Sequence, residues 1–216
     1  HQEVPYLVME YVDNATTLKE VIAQRKQDGR PFVKEEIVRV LDQVISGMTV
    51  AHELNLVHGD VRPANLILQD LPGHPTFVRL IDFGMTSLGA GSKHLVMSTV
   101  GYMAPEQVST GDAGPWSDLY SLGAVAYEML TFSAPFGDLK SSELVEKKRS
   151  GELDPMDQLL DHDLSLKEID FLRQALDSEP SRRFRSCEAF RSALYATLRQ
   201  QRVDHVPREP EPLWLE

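Results

Sequence analysis

Cysteine is almost absent. Cys187 stands alone among 216 residues, so neither an internal disulfide nor a cysteine-based zinc site can form, and the chain suits a reducing, cytoplasmic compartment. Positive charge is also short: 22 Lys and Arg face 33 Asp and Glu, for a net charge of −11. That balance argues against nucleic acid as a partner, because phosphate contacts need clustered Lys and Arg. Long apolar runs are missing as well. The most apolar stretch, residues 119–130, carries Tyr120, Ser121 and Glu128, short of the roughly 20 apolar residues that a membrane span needs. The chain opens on His1 without a basic start and an apolar run, so its first residues are no signal peptide, and we expect sequence upstream. What is present is ordinary for a globular protein, with 42% apolar and 25% charged residues. One or two domains with a real core fit that composition, and disorder or a fibre does not.

The pattern along the chain is mainly helical. Residues 6–12 (YLVMEYV) are aromatic and β-branched and end at Asp13-Asn14, which predicts one buried strand, a turn and then a connector. From Lys34 to Glu53 the apolar positions Ile37, Leu41, Val44, Ile45, Met48 and Ala51 form the stripe of a long amphipathic helix. Two short β runs follow, residues 66–68 and 77–81, joined by Leu71-Pro72-Gly73-His74-Pro75, a composition suited to a hairpin loop. Residues 84–101 are rich in Gly, Ser and Thr without periodicity, which predicts a long, functional loop. Residues 119–130 are apolar nearly all round and should form the buried central helix, with Val125 and Met129 inside. Ser165-Leu-Lys-Glu168 is a capping box opening a helix through Leu176, and Ser186 caps a last helix through Leu198. Pro207, Pro210 and Pro212 mark residues 200–216 as a tail or linker.

The densest polar cluster is His58-Gly59-Asp60-Val61-Arg62-Pro63-Ala64-Asn65, with Asp82-Phe83-Gly84 after the second β run. Asn65 and Asp82, at the ends of neighbouring strands, suit a hard divalent cation that shares its remaining ligands with phosphate and water. Asp60 is placed to orient a hydroxyl nucleophile. A solvated loop carboxylate is the plain reading of any one of them; their ordered combination makes it insufficient.

His-x-Asp-x-x-x-x-Asn followed by Asp-Phe-Gly resembles the catalytic and metal loops of the protein kinase family, whose parts serve as a general template for phosphoryl transfer. Thr99-Val-Gly-Tyr-Met-Ala-Pro105-Glu106, Asp118-Leu-Tyr-Ser-Leu-Gly123 and Glu179-Pro-Ser-Arg-Arg183-Phe resemble that family's later motifs, in order. The likeness runs from about Pro5 to Leu198 and is nearest to bacterial, eukaryotic-like Ser/Thr kinases. It implies an α+β, mainly α fold: the kinase large lobe, with short antiparallel strands carrying the catalytic loops. It further implies residues 1–13 as the last small-lobe strand and hinge, and 14–199 as the large lobe. ATP and Mg²⁺ are the implied cofactors, and a protein Ser or Thr is the implied substrate. Carried over by position, Asp60 is the catalytic base and Arg62 stands beside the γ-phosphate, where lysine is usual. Thr99 braces Asp60, and Asn65 and Asp82 hold the metal. Met9 guards the adenine pocket, the backbone of Glu10 and Val12 meets the adenine edge, and Ile67 packs beneath it. Glu106 with Arg183, and Asp118, match structural residues.

Two departures matter. Gly59 stands where many kinases carry an arginine that grips a phosphorylated loop, so alanine at Thr86, Ser87, Ser92 and Ser98 together should leave the activity of the complete protein near wild type. A large loss in a kinase assay would contradict this. Upstream of Tyr6 there is no room for the glycine-rich loop, the strand lysine or the helix glutamate. Gly89-Ala-Gly91-Ser-Lys-His94 does not replace them, since His stands where a third glycine belongs. The chain alone should therefore be catalytically feeble, and the missing small-lobe segment is its natural partner. Two rival readings are a pseudokinase or regulatory binding module, and a small-molecule phosphotransferase of the aminoglycoside or choline type. The latter group shares His-Gly-Asp but not Ala104-Pro105-Glu106. His52 reads as a helix-surface residue, because His58 lies six positions on and not four.

Overall fold

A computed structural model describes residues 10–71, 74–83, 100–137, 139–153, 159 and 162–199. The described chain is mainly helical with one small sheet. Strand β1 (Ala15–Thr17), helix α1 (Leu18–Gln27) and helix α2 (Lys34–Glu53) lead to strands β2 (Leu66–Leu71) and β3 (His74–Leu80). Helices α3 (Pro105–Ser109), α4 (Pro115–Thr131), α5 (Ser141–Ser150), α6 (Leu166–Ala175) and α7 (Cys187–Leu198) follow. The three strands are antiparallel in the order β1-β2-β3, with Leu66 opposite Leu80 and Thr17 opposite Ile67.

The opening of the chain differs from expectation. Glu10, Tyr11 and Val12 are not in a strand, and residues 6–9 lie outside the described residues. The turn at Asp13-Asn14 does form, with Asn14 at φ 51°, but it is the next three residues that pair with β2. What was read as a connector is α1. That helix buries only Leu18 and Ile22, too thin a stripe for periodicity to reveal. Its visible signal is local: Thr17 Oγ1 accepts from the Glu20 N–H at 3.2 Å, and Glu20 accepts from the Thr17 N–H at 2.8 Å. The bidentate Arg25–Glu36 pair, at 2.7 and 2.8 Å, then ties α1 to the first turn of α2.

The core gathers around α2 and α4. Ile37, Leu41, Val44, Ile45 and Met48 from α2 meet Leu119, Leu122, Val125 and Met129 from α4, all nearly inaccessible. Each such side chain contributes roughly 1.5–3 kcal/mol by leaving water. α4 can be buried on almost every side because α2 and α6 pack against it. A Cβ at Gly123 would come within 2.7 Å of the Ala175 Cβ, so glycine is what permits that approach. Phe171, Phe184 and Phe190 pack as a ring cluster with centroids 5.1–5.5 Å apart, joining α6 to α7. A second, smaller cluster of Val100, Phe136 and Leu144 lies apart from the main core and rests on α5.

Candidate active site

The loop between α2 and β2 carries the sequence-predicted cluster, and it is held from beneath by α4. Asp118, in the first turn of that helix and 1% exposed, accepts from the His58 N–H at 2.9 Å and the Gly59 N–H at 2.7 Å. The same carboxylate bonds His52 Nε2 at 2.8 Å. Gly59 sits at φ 77°, a left-handed conformation that residues with a Cβ adopt at a cost. His58 is fully buried. Its Nδ1 accepts from the Asp60 N–H at 3.1 Å, so its Nε2 carries the proton donated to the Ile81 carbonyl at 2.8 Å. One ring thereby links the Asp60 loop to the chain entering Asp82, and Phe83 packs edge-on against it at 4.5 Å.

Asp60, Arg62 and Asn65 converge. Arg62 Nε donates to Asp60 Oδ2 at 3.0 Å, and Asn65 Nδ2 donates to the same oxygen at 2.9 Å and to the Asp60 carbonyl at 2.8 Å. With its amide nitrogen so engaged, Asn65 keeps its side-chain oxygen as an acceptor. The strand register extends one step beyond Leu66 and Leu80, because the Ile81 N–H donates to the Asn65 carbonyl at 3.0 Å. Asp82 therefore follows directly on Asn65's partner across the sheet end, with φ 65°. Among the described residues no group of three or more His, Cys, Asp or Glu is arranged to hold a metal. The donors available at the sheet end are one carboxylate and one amide, the sparse set that suits Mg²⁺ sharing its shell with phosphate and water.

The other predicted residues fall out as follows. Ile67 is half-buried and lies on the face of β2 opposite Leu66 and Leu68, which join the core. Glu10 is exposed and meets Arg79 at 3.6 Å, while Val12 is half-buried. Met9 and Thr99 lie outside the described residues, as do Gly84, the loop hydroxyls from Thr86 to Ser98 and the tail 200–216.

Three residues matter here that sequence reasoning passed over or misplaced. His52 is no surface residue: its side chain is 12% exposed and bonded to Asp118. Burial disfavours its charged form, yet Asp118 and the Cys187 thiol 3.5 Å away outweigh that and raise it to about 9. The signal was available, since His52 follows Met48 by one turn on the buried stripe. Gln107 was not singled out, although its Nε2 donates to the Gly59 carbonyl and its Oε1 accepts from the Ala104 N–H, both at 2.9 Å. It clips the segment before α3 to the Asp60 loop. Lys148, buried in α5, was likewise unread.

Glu106 and Arg183 form a bidentate pair at 2.8 Å for each bond, with Ser117 Oγ donating to Glu106 at 2.7 Å. Burial pushes the Glu106 carboxyl up, but Arg183 overcomes this and holds it below its ordinary value. Arg183 also donates to the Asp177 and Ser178 carbonyls, so the pair welds α3 to the 3-10 turn at Pro180–Arg182.

A small antiparallel sheet whose strand ends carry Asn65 and Asp82, beside an Asp60 loop clamped from a central helix, belongs to one class of protein. The protein kinase domain family matches residues 1–195, and this chain is a member of it. It is 38% identical over 136 residues to the serine/threonine-protein kinase PknL of Mycobacterium tuberculosis, covering 61% of this chain and 32% of that protein. To the serine/threonine-protein kinase Pkn1 of Myxococcus xanthus it is 32% identical over 208 residues, covering 94% of this chain and 28% of that one. The chain thus spans about a third or less of these relatives' length. The crystal structure of the Mycobacterium tuberculosis PknI kinase domain superposes with a TM-score of 0.64 at 26% identity, over 88% of this chain and 64% of that one. Among the described residues no helix is long and apolar enough to cross a membrane.

Proposed function

We propose that residues 14–199 are the large lobe of a Ser/Thr protein kinase that transfers the γ-phosphoryl group of Mg·ATP to a protein hydroxyl. Residues 1–13 end the small lobe and form the hinge, and residues 200–216 are a tail. The observation that carries this reading is the Asp60 carboxylate, held by both Arg62 and Asn65 on a loop fixed to Asp118. Phosphoryl transfer asks the protein for position and electrostatics more than for covalent chemistry, and this loop is built for position.

Asp60 orients the incoming hydroxyl and takes its proton. Arg62, already bonded to Asp60, places a cation where charge on the transferred group needs an answer, though as a planar fork and not a point charge. Asn65 and Asp82 supply the protein's oxygens to Mg²⁺. The backbone of Glu10 and Val12, with Met9 and Ile67, borders the adenine, and Thr99 braces Asp60. Bound Mg·ATP supplies the electrophilic phosphorus and screens its charge. A Ser or Thr acceptor is supported by the names of the relatives PknL and Pkn1 and by Thr99 itself.

The test is made in the full-length protein with ATP, Mg²⁺ and a Ser/Thr peptide. Asp60→Asn should lower kcat at least a hundredfold, the scale of a lost general base, with little change in the unfolding midpoint. Turnover that survives the substitution would refute the assignment of Asp60. The 1–216 chain on its own should show negligible turnover.

A further inference from the structure

α5 buries two side chains one turn apart, Leu144 and Lys148. Leu144 belongs with Val100 and Phe136 in the small cluster outside the main core. Lys148 is 2% exposed. Its Nζ donates to the Gly101 carbonyl at 3.2 Å and to the Met103 carbonyl, and lies 5.0 Å from the Tyr120 ring centre and 5.8 Å from that of Phe136. Among the described residues no carboxylate is in ion-pair range of it. Burial, and then the charge of Arg183, pull its ammonium down to about 7 against the opposing pull of Glu106. A buried lysine that no carboxylate among the described residues answers is costly. An aliphatic side chain would fill the same space without that cost, so the amine is there for its donors.

Those donors act on one edge of a short segment whose other groups are also tied. Between the two carbonyls that Lys148 binds, the Tyr102 carbonyl accepts from Ser121 Oγ at 2.9 Å and the Tyr102 hydroxyl donates to Glu128. The Ala104 N–H goes to Gln107, which also holds the Gly59 carbonyl next to Asp60. Through Gln107, residues 100–104 are therefore tied to the loop that carries Asp60 and Arg62. On the kinase reading, a polypeptide that brings its hydroxyl to Asp60 meets this segment.

We propose that Lys148 is a positioning residue for the protein substrate: by pinning the Gly101 and Met103 carbonyls it sets the shape of residues 100–104 and hence the affinity for the acceptor peptide. The proposal rests on the phosphoryl-transfer reading above only for its enzymatic arm.

The first arm needs no activity. Hydrogen exchange is followed in the 1–216 chain carrying Lys148→Met, which keeps length and removes the donors. Exchange should accelerate at least tenfold in residues 100–104 and α5, with α2, α4 and α7 unchanged. Unchanged exchange in 100–104, or acceleration spread evenly over the helices, would overturn the proposal by making Lys148 inert or a mere packing residue. The second arm uses the full-length kinase: KM for the peptide should rise roughly tenfold while kcat and the KM for ATP hold. A fall in kcat at unchanged peptide KM would count against a positioning role. Should K148M not fold, K148Q is read in its place: its shorter, neutral amide weakens both carbonyl bonds, so exchange in 100–104 should still accelerate, and exchange unchanged from wild type would overturn the proposal. If the wild-type kinase shows no Asp60-dependent turnover, the functional reading fails while the exchange arm still decides whether Lys148 shapes the segment.

Discussion

Arg183 and Lys148 approach the same aromatic ring. Arg183 Cζ lies 4.8 Å and Lys148 Nζ 5.0 Å from the centre of Tyr120, and each residue is 2% exposed. Among the described residues, one is answered by the Glu106 carboxylate and the Asp177, Ser178 and Trp116 carbonyls, the other by two carbonyls and ring faces. The first arrangement fixes a permanent charge and joins two distant parts of the chain. The second leaves the charge unstable, so protonation of Lys148 changes within the physiological range. Burial alone does not decide what a cation does in a protein; its partner does.

The largest effect should come from breaking the answered cation. Glu106→Gln leaves Arg183 buried and charged without its counter-ion, which costs about 3–5 kcal/mol when a buried pair loses one member. A drop in the urea midpoint measures it. Removing both charges with Glu106→Leu and Arg183→Met should cost distinctly less than the single change, and equal costs would show that the pair's attraction and not the orphaned charge dominates.

A smaller, more diagnostic effect concerns pH. Lys148 has its ordinary value of 10.5 when unfolded and about 7 when folded. Between those values the unfolded chain binds more protons, so this residue makes stability rise with pH from about 7 toward 10.5. His52 acts in the opposite sense. Its folded value of about 9 exceeds the ordinary 6.5, so its stabilisation is complete below pH 6.5 and lost as pH rises through 9. Unfolding midpoints measured from pH 6 to 10 should thus gain a steeper fall in K148M and lose that fall in His52→Gln. One proton's difference sets each slope, so it changes by up to about 1.4 kcal/mol per pH unit. Slopes unaltered by both substitutions would remove the distinction between the two sites.

What could be read from the sequence follows the physical nature of each signal. α2 was legible to the residue because six apolar side chains repeat at helical spacing, and α6 and α7 because Ser165 and Ser186 cap them through the Glu168 and Ala189 N–H groups. α1 and α5 were not, since Leu18 with Ile22 and Leu144 with Lys148 leave too little apolar stripe. A lysine at a buried position actively hides the helix that carries it. At the site, the order Asp60, Asn65, Asp82 was visible as a motif, and the Asp60–Asn65 contact is one that five-residue spacing around a tight turn can foretell. The burial of His52 could be read from the α2 stripe, but its bond to Asp118 and that of Gln107 to Gly59 could not, because the partners lie dozens of positions away. No local pattern reports such a contact.

The clamp on the Asp60 loop also has a history built into it. Asp118 lies 60 residues beyond His58 and 59 beyond Gly59, so the loop is translated long before the helix that shapes it. Until α4 has been synthesised and has docked against α2, the His58 and Gly59 amides lack the Asp118 carboxylate that accepts from them. Loop closure over such a span is among the slower steps of folding. The shape of the Asp60 loop is therefore acquired only after α4 exists, and a chain released from the ribosome short of α4 carries every residue of the His58–Asn65 motif without its clamp.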